Sequence, residues 1–130
     1  MRIVGALIVT IVLASQAALA DVKRHASIPE TLHGAWAPSA GGCGADDKSV
    51  IEVAAKTYTS AATKCDVDWV SETAGPRGAI YSAHMRCSSQ QPAQQPSVTN
   101  LIIRPDTAQQ ISIGSDFSNL KAYQKCAAKE

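Results

Sequence analysis

The sequence predicts an all-β protein, a small antiparallel meander β-barrel of about seven strands stapled by two disulfide bonds. Three observations predict it: an apolar leader of the exported type, four cysteines in the rest of the chain, and short stretches in which apolar and polar residues alternate. Residues that favour turns separate these stretches. Short alternating strands of this kind are typical of a barrel or a small sandwich.

The first twenty residues, MRIVGALIVTIVLASQAALA, have the order of a secretory signal peptide. Arg2 is the basic start, an apolar run follows, and small residues close the segment. Cleavage is expected between Ala20 and Asp21, which predicts a periplasmic or secreted protein. The apolar run is shorter than the roughly 20 residues that cross a bilayer, so no stable membrane anchor is expected.

The chain left after cleavage would have 110 residues, the size of one domain. Without Arg2 the 12 basic residues of the full sequence become 11, against 11 acidic residues, so the formal charge is zero. A neutral chain offers no electrostatic attraction for nucleic acid or an anionic membrane. A monomer is expected, with an unknown protein as the partner if there is one.

Four cysteines lie in the exported part: Cys43, Cys65, Cys87 and Cys126. An even number in an exported chain predicts disulfides, because an oxidising compartment lets them persist. Their spacings of 22, 22 and 39 residues lack the close pairs of a zinc site. The sequence therefore predicts two disulfide bonds and no metal or other cofactor.

Three segments follow the signal peptide. Residues 21–30 are polar and end near a proline, which predicts a flexible N-terminal arm. Residues 31–126 form the predicted barrel domain, and residues 127–130 are a C-terminal tail. The start of the arm supplies the candidate partner-binding residues: Asp21, Val22, Lys23 and Arg24.

The first half of the domain contains three predicted strands. The first covers Thr31 to Ala37, because Pro38 cannot continue a ladder. The second covers Ser49 to Ala54, and the third runs from Tyr58 to Glu72. In the third, Cys65, Val67 and Trp69 are expected on the inward face.

A hairpin is predicted next, with residues 73–78 as its loop and residues 79–87 as its second strand. Reflection about Pro76 pairs Cys65 with Cys87, Val67 with Met85, and Trp69 with Ala83. The apolar faces of the two strands then agree.

The second half begins with a polar stretch, residues 88–96, which predicts an exposed loop. Strands are expected at residues 97–104 and 110–114. The last segment fits a helix capped by Ser118 or a strand that reaches Cys126. We favour the strand, since it would cover an open sheet edge.

Four short motifs together resemble small uncharacterised four-cysteine periplasmic proteins of Alphaproteobacteria. The motifs are Gly34-Ala35-Trp36-Ala37 before Cys43, Lys64-Cys65, Arg86-Cys87, and Tyr123-Gln124-Lys125-Cys126. The resemblance covers most of the exported chain and implies no activity.

The front half is also similar to the bacterial inhibitors of alkaline metalloproteases, the Inh family. In these small barrels a G-x-W strand precedes a cysteine that is bridged to a second one some twenty residues later. Gly34 and Trp36 match that strand, while Cys43 and Cys65 match that bridge. The resemblance implies inhibition of a protease by an N-terminal segment, here the arm from Asp21 onward.

The cysteine pairing has two alternatives. The Inh resemblance implies Cys43–Cys65, which leaves Cys87–Cys126, and we favour this pairing. The hairpin reflection instead permits Cys65–Cys87, which leaves Cys43–Cys126.

No pattern predicts catalysis. His25, His33 and His84 are scattered, and the sequence has no G-x-S-x-G turn or phosphate-binding glycine loop. The expected function is that of a non-enzymatic exported binding or envelope-associated module. The alternatives are a protease inhibitor that acts through the arm and a small hydrolase that uses His84 with a nearby acid and serine.

Overall fold

The structure, a computed structural model, describes residues 22–38, 42–44, 48–89 and 96–127. The predicted signal peptide, Asp21, most of the predicted loop 88–96 and all but the first residue of the predicted tail lie outside these residues. The described strands are β1 (Lys23–His25), β2 (Gly34–Ala37), β3 (Ile51–Val53), β4 (Thr57–Thr59), β5 (Thr63–Gly75), β6 (Gly78–Ser89), β7 (Ser97–Thr107), β8 (Gln110–Gly114) and β9 (Lys121–Lys125). Two single-turn 3₁₀ helices cover Glu30–Leu32 and Phe117–Asn119. No described helix is long and apolar enough to cross a membrane.

Strands β2 to β9 form a closed antiparallel barrel in which each strand pairs with the next along the chain. Pairing of β2 with β9 closes the ring. The predicted all-β meander barrel with two disulfides is confirmed, but eight strands close it rather than about seven. The predicted strand from Tyr58 to Glu72 is two strands, β4 and β5, because a tight turn in which Ser60 N–H donates to the Thr63 carbonyl separates them.

The seam between β2 and β9 is short. Its register contains two pairs, Trp36 with Lys125 and Ala37 with Gln124, and the Cys126 N–H adds a 2.9 Å hydrogen bond to the Ala35 carbonyl. The last segment is therefore a strand, as favoured. Its half-buried residue is Tyr123, which packs against the core.

The longest element is the β5–β6 hairpin, whose register runs from Thr63–Ser89 to Gly75–Gly78. The predicted pairs Cys65–Cys87 and Val67–Met85 are present. The predicted Trp69–Ala83 pair is wrong, because a β-bulge shifts the register between Val67 and Trp69. The extra residue puts Val70 opposite Ala83 in the core, and Trp69 moves to the outer wall.

The disulfides are Cys65–Cys87 and Cys43–Cys126. The favoured pairing of Cys43 with Cys65 and Cys87 with Cys126 is wrong, and the pairing permitted by the hairpin reflection is right. Cys65 and Cys87 are directly opposite each other in the ladder, with their Cα atoms 4.0 Å apart. The register of the hairpin therefore brings the two cysteines close enough to form the disulfide. Cys43 and Cys126 lie beside the seam and fasten its two strands.

The segment predicted as a flexible arm lies against the barrel in its described part. β1 pairs with the upper half of β5, beyond the end of β4. Ile28 and Leu32 then bury their side chains, and the Trp36 indole donates a 3.0 Å hydrogen bond to the Leu32 carbonyl. These apolar residues close one end of the barrel. The polar composition of the segment as a whole does not predict this packing.

One apolar core fills the barrel. Its buried members come from all the closing strands except β4 and β9 and from the N-terminal segment: Ile28, Leu32, Trp36, Ile51, Val53, Cys65, Val67, Val70, Ala83, Met85, Cys87, Leu101, Ile103, Ile111 and Ile113. Tyrosines at positions 58, 81 and 123 pack around them. Side chains therefore fill the interior, and any binding must use the ends or the outer wall.

Both disulfides should contribute to stability, and the seam disulfide should contribute more. It closes a loop of 83 residues against 22 for Cys65–Cys87, so the chain-entropy model gives about 4.5 and about 3.4 kcal/mol. We expect Cys43→Ser/Cys126→Ser to lower the free energy of unfolding by about 4 kcal/mol in denaturant titrations.

The matched variant is Cys65→Ala/Cys87→Ala, which removes the disulfide inside the hairpin. A seam variant as stable as the wild type would contradict the role given to the seam. Peptide mapping without reduction should recover a peptide joined through Cys65 and Cys87.

Candidate functional site

The candidate partner-binding residues at the start of the arm separate into three environments. Asp21 lies outside the described residues, and Val22 is exposed. Lys23 faces Glu72, with 4.0 Å between the ammonium and the carboxylate. Arg24 points to the outer wall. Inhibition of a protease by this segment stays a prediction, and it would require β1 to leave β5.

The inward face of β1 carries a polar cluster at the rim of the barrel. His25 Nε2 lies 3.0 Å from a Glu72 oxygen, and Tyr81 hydrogen bonds to the same carboxylate. Burial, and then the charge and hydrogen bond of Glu72, raise the pKa of the Tyr81 phenol above its ordinary value. The cluster fixes β1 to the hairpin.

The outer wall carries a three-layer stack. The His84 ring lies on the Trp69 indole with centroids 3.6 Å apart and an angle of 14° between the planes. The Arg24 guanidinium carbon lies 3.9 Å from the Trp69 centroid. The bulge in β5 turns Trp69 outward, and β1 and β6 bring the other two side chains to it. The small-hydrolase alternative stays a prediction, and its histidine is a member of this stack.

The outer wall also carries an exposed ion pair, in which Arg86 donates a 2.9 Å hydrogen bond to Asp68. Among the described residues, no group of three or more histidine, cysteine or acidic side chains could hold a metal ion.

A groove lies beside the hairpin tip. It has a volume of about 620 Å³, which lies within the range of ligand clefts. We call it the tip groove, and its lining residues are Pro76, Arg77, Gly78, Ala79, Ile80, Arg104, Pro105 and Phe117.

Local backbone rules explain why the hairpin tip projects. Pro76 and Arg77 form a two-residue turn between the ladder pair Gly75 and Gly78. Gly78 has φ +128°, which residues with a side chain rarely adopt. A Cβ on Gly75 would lie 2.6 Å from the Ile80 side chain. The two glycines let the strands meet closely at the tip, and Arg77 stands at its end.

The opposite side of the groove is fixed by a polar network on β7 and β8. Arg104 Nε donates a 2.9 Å hydrogen bond to Asp106, and the Ser112 hydroxyl donates to the other oxygen of the same carboxylate. Partial burial alone would raise the pKa of Asp106. The hydrogen bonds from Ser112 and Arg104, with the positive charges of Arg104 and Arg77, outweigh burial and lower that pKa below its ordinary value.

Two features make this groove a candidate binding surface. Phe117 is 65% exposed, although a large apolar side chain normally seeks burial. Arg77 forms no ion pair in the described part of the chain, whereas Arg104 already has Asp106. The groove therefore offers, beside an exposed aromatic ring, a positive charge that has no ion-pair partner among the described residues.

Sequence reasoning missed this site. The sequence predicts a hairpin loop that contains Arg77. For the last segment, which contains Phe117, it allows either a helix or a strand. The only sequence cue is that the single phenylalanine of the chain stands in a polar run, Ser115-Asp116-Phe117-Ser118. The meeting of positions 77, 104 and 117 depends on the barrel.

The Asp106 network should give stability that depends on pH. Because the folded pKa of Asp106 is lowered, its contribution is complete above its unfolded value of about 3.9 and is lost as the pH falls through the folded value. We expect Asp106→Asn to lower the free energy of unfolding by about 1 to 2 kcal/mol at pH 7. The loss should shrink below about pH 4. Thermal unfolding of both proteins between pH 2 and 7 measures it.

The control is Asp66→Asn, which removes an exposed carboxylate on the outer wall. An equal effect of Asp106→Asn at pH 2.5 and pH 7 would show that the loss is not electrostatic.

Comparisons with known proteins give no lead on this site. The chain has no significant match to a family model, to a curated protein or to a solved structure.

Proposed function

We propose that this chain is an exported, non-enzymatic binding module that captures a protein partner through the tip groove. In this proposal the signal peptide is cleaved between Ala20 and Asp21, and the mature protein is a monomer in the periplasm or outside the cell. The two disulfides indicate an oxidising extracellular or periplasmic compartment. That finding supports export.

The observation that carries the proposal is the exposure of Phe117 over the groove. Hydrophobic side chains fill the barrel interior and form one core. Phe117 remains outside that core in an open groove. Exposed aromatic residues in concave surfaces are frequent anchors of protein interfaces.

The structure around the groove is suited to binding without large rearrangement. The β5–β6 hairpin forms one wall and the Asp106 network stabilises the other. Both walls are strands of a closed barrel, so the groove is largely formed before a partner arrives. Preformed surfaces lose less conformational entropy on binding.

A capture experiment with matched variants tests the proposal. Mature protein on beads is incubated with an extract of exported proteins, and bound proteins are quantified by mass spectrometry. We expect a specific partner whose capture falls at least about tenfold with Phe117→Ser, because burial of a phenylalanine contributes about 2 kcal/mol.

Val98→Ser is the control, since Val98 is also an exposed apolar residue, near the other end of β7. Circular dichroism confirms that both variants fold. The proposal is wrong if the wild type captures no specific protein, or if Phe117→Ser and Val98→Ser reduce capture equally.

A further inference from the structure

The barrel wall opens at the tip groove. The ladder between β6 and β7 ends with the pair Tyr81–Ile103, although β6 begins three residues earlier and β7 continues to Thr107. Residues 78–80 of β6 and residues 104–107 of β7 are extended but are not paired with each other. Each of these segments has a partner on its other side only.

Pro105 explains why the pairing stops. Beyond Tyr81–Ile103, the next pair that could exchange hydrogen bonds would be Ala79 with Pro105, and proline has no N–H to donate. The Cα atoms of Cys65 and Cys87 are 4.0 Å apart, the short spacing of a pair that exchanges no hydrogen bonds across β5 and β6. The backbone groups of Cys87 therefore face β7. Because the bulge lies in β5, the alternation of backbone groups along β6 is unbroken. Every second residue of β6 therefore has the same orientation as Cys87, namely Met85, Ala83, Tyr81 and Ala79.

The Ala79 carbonyl therefore faces the groove without the donor that any residue other than proline would provide at position 105. An extended segment in the groove could donate a backbone N–H to this carbonyl. Short peptides commonly bind by adding to such a free strand edge.

The charges of the groove specify the peptide further. Two arginines, Arg77 and Arg104, line the groove, and Asp106 neutralises one of them. The hydrophobic contacts available are the ring of Phe117 and the side chain of Ile80. A carboxylate next to an apolar side chain complements this arrangement in charge and polarity.

We infer that the tip groove binds an extended, acidic segment of a partner protein by strand addition. In the complex the carboxylate of the segment lies on Arg77, and its apolar side chain packs against Ile80 and Phe117. A backbone N–H of the segment donates to the Ala79 carbonyl. This inference rests on the proposed function and names the chemistry of the partner.

Capped peptides provide the test. The probe is acetyl-Val-Thr-Asp-Leu-Thr-amide, and the matched peptide has Asn in place of Asp, which keeps the shape and removes the charge. Each is titrated into the isotope-labelled mature protein, and Kd values are taken from the amide shifts. We expect the shifts to centre on residues 77–80, Arg104 and Phe117. The Asp peptide should bind about tenfold more tightly than the Asn peptide.

Arginine variants assign that difference to one side chain. Arg77→Gln should reduce the ratio of the two Kd values to about one, because no free cation then remains in the groove. Arg86→Gln is the control, since it removes an exposed arginine of β6 that lies about 20 Å along the strand from the groove residue Ile80. This variant should keep the tenfold ratio.

The inference is overturned if the two peptides bind the wild type equally, if neither binds, if the shifts lie elsewhere, or if Arg77→Gln keeps the ratio. Capture of the partner through Phe117 would survive each of these outcomes. A failure of the peptide chemistry is therefore distinguishable from a failure of the proposed function.

Discussion

Closure of the ring between β2 and β9 is the constraint on which the rest of this structure depends. Every other ladder of the barrel joins strands that are neighbours in the chain. The seam must join residues almost ninety positions apart, with a register of two pairs. The Cys43–Cys126 disulfide lies at this seam, where the entropic cost of loop closure is largest. An oxidising compartment and closure of the barrel are thus linked by one covalent bond.

The second constraint is the difference in length between the strands. β5 and β6 are much longer than β2, β3 and β4, so the hairpin extends beyond its neighbours. On one side β1 covers the extension, and the Glu72 cluster holds it there. On the other side Pro105 ends the ladder and leaves the tip groove. The same overhang therefore explains why the N-terminal segment is docked and why the tip groove lies where it does.

The role of the protein is best understood from how its apolar residues are used. The interior is full, and its largest buried side chain, Trp36, completes a plug with Ile28 and Leu32 at one end. The outer wall has an aromatic residue of its own in Trp69, but His84 and Arg24 cover that ring. Phe117 is left exposed beside Arg77, which is why we propose the tip groove as the surface that recognises another protein.

The sequence by itself determined the fold class, because alternation of apolar and polar residues specifies which face of each strand is inward. It also determined that the four cysteines pair, and the hairpin pattern of residues 65–87 contained the correct partner for Cys65. Only the tertiary structure decided between the two disulfide pairings, since the seam is not local in the chain. It alone placed Trp69 on the outer wall. One extra residue in the β5 bulge exchanges the inward and outward faces for the residues that follow it, and the composition of the strand does not reveal this exchange. It alone brought Arg77, Pro105 and Phe117 together, since these positions meet only when the barrel has closed.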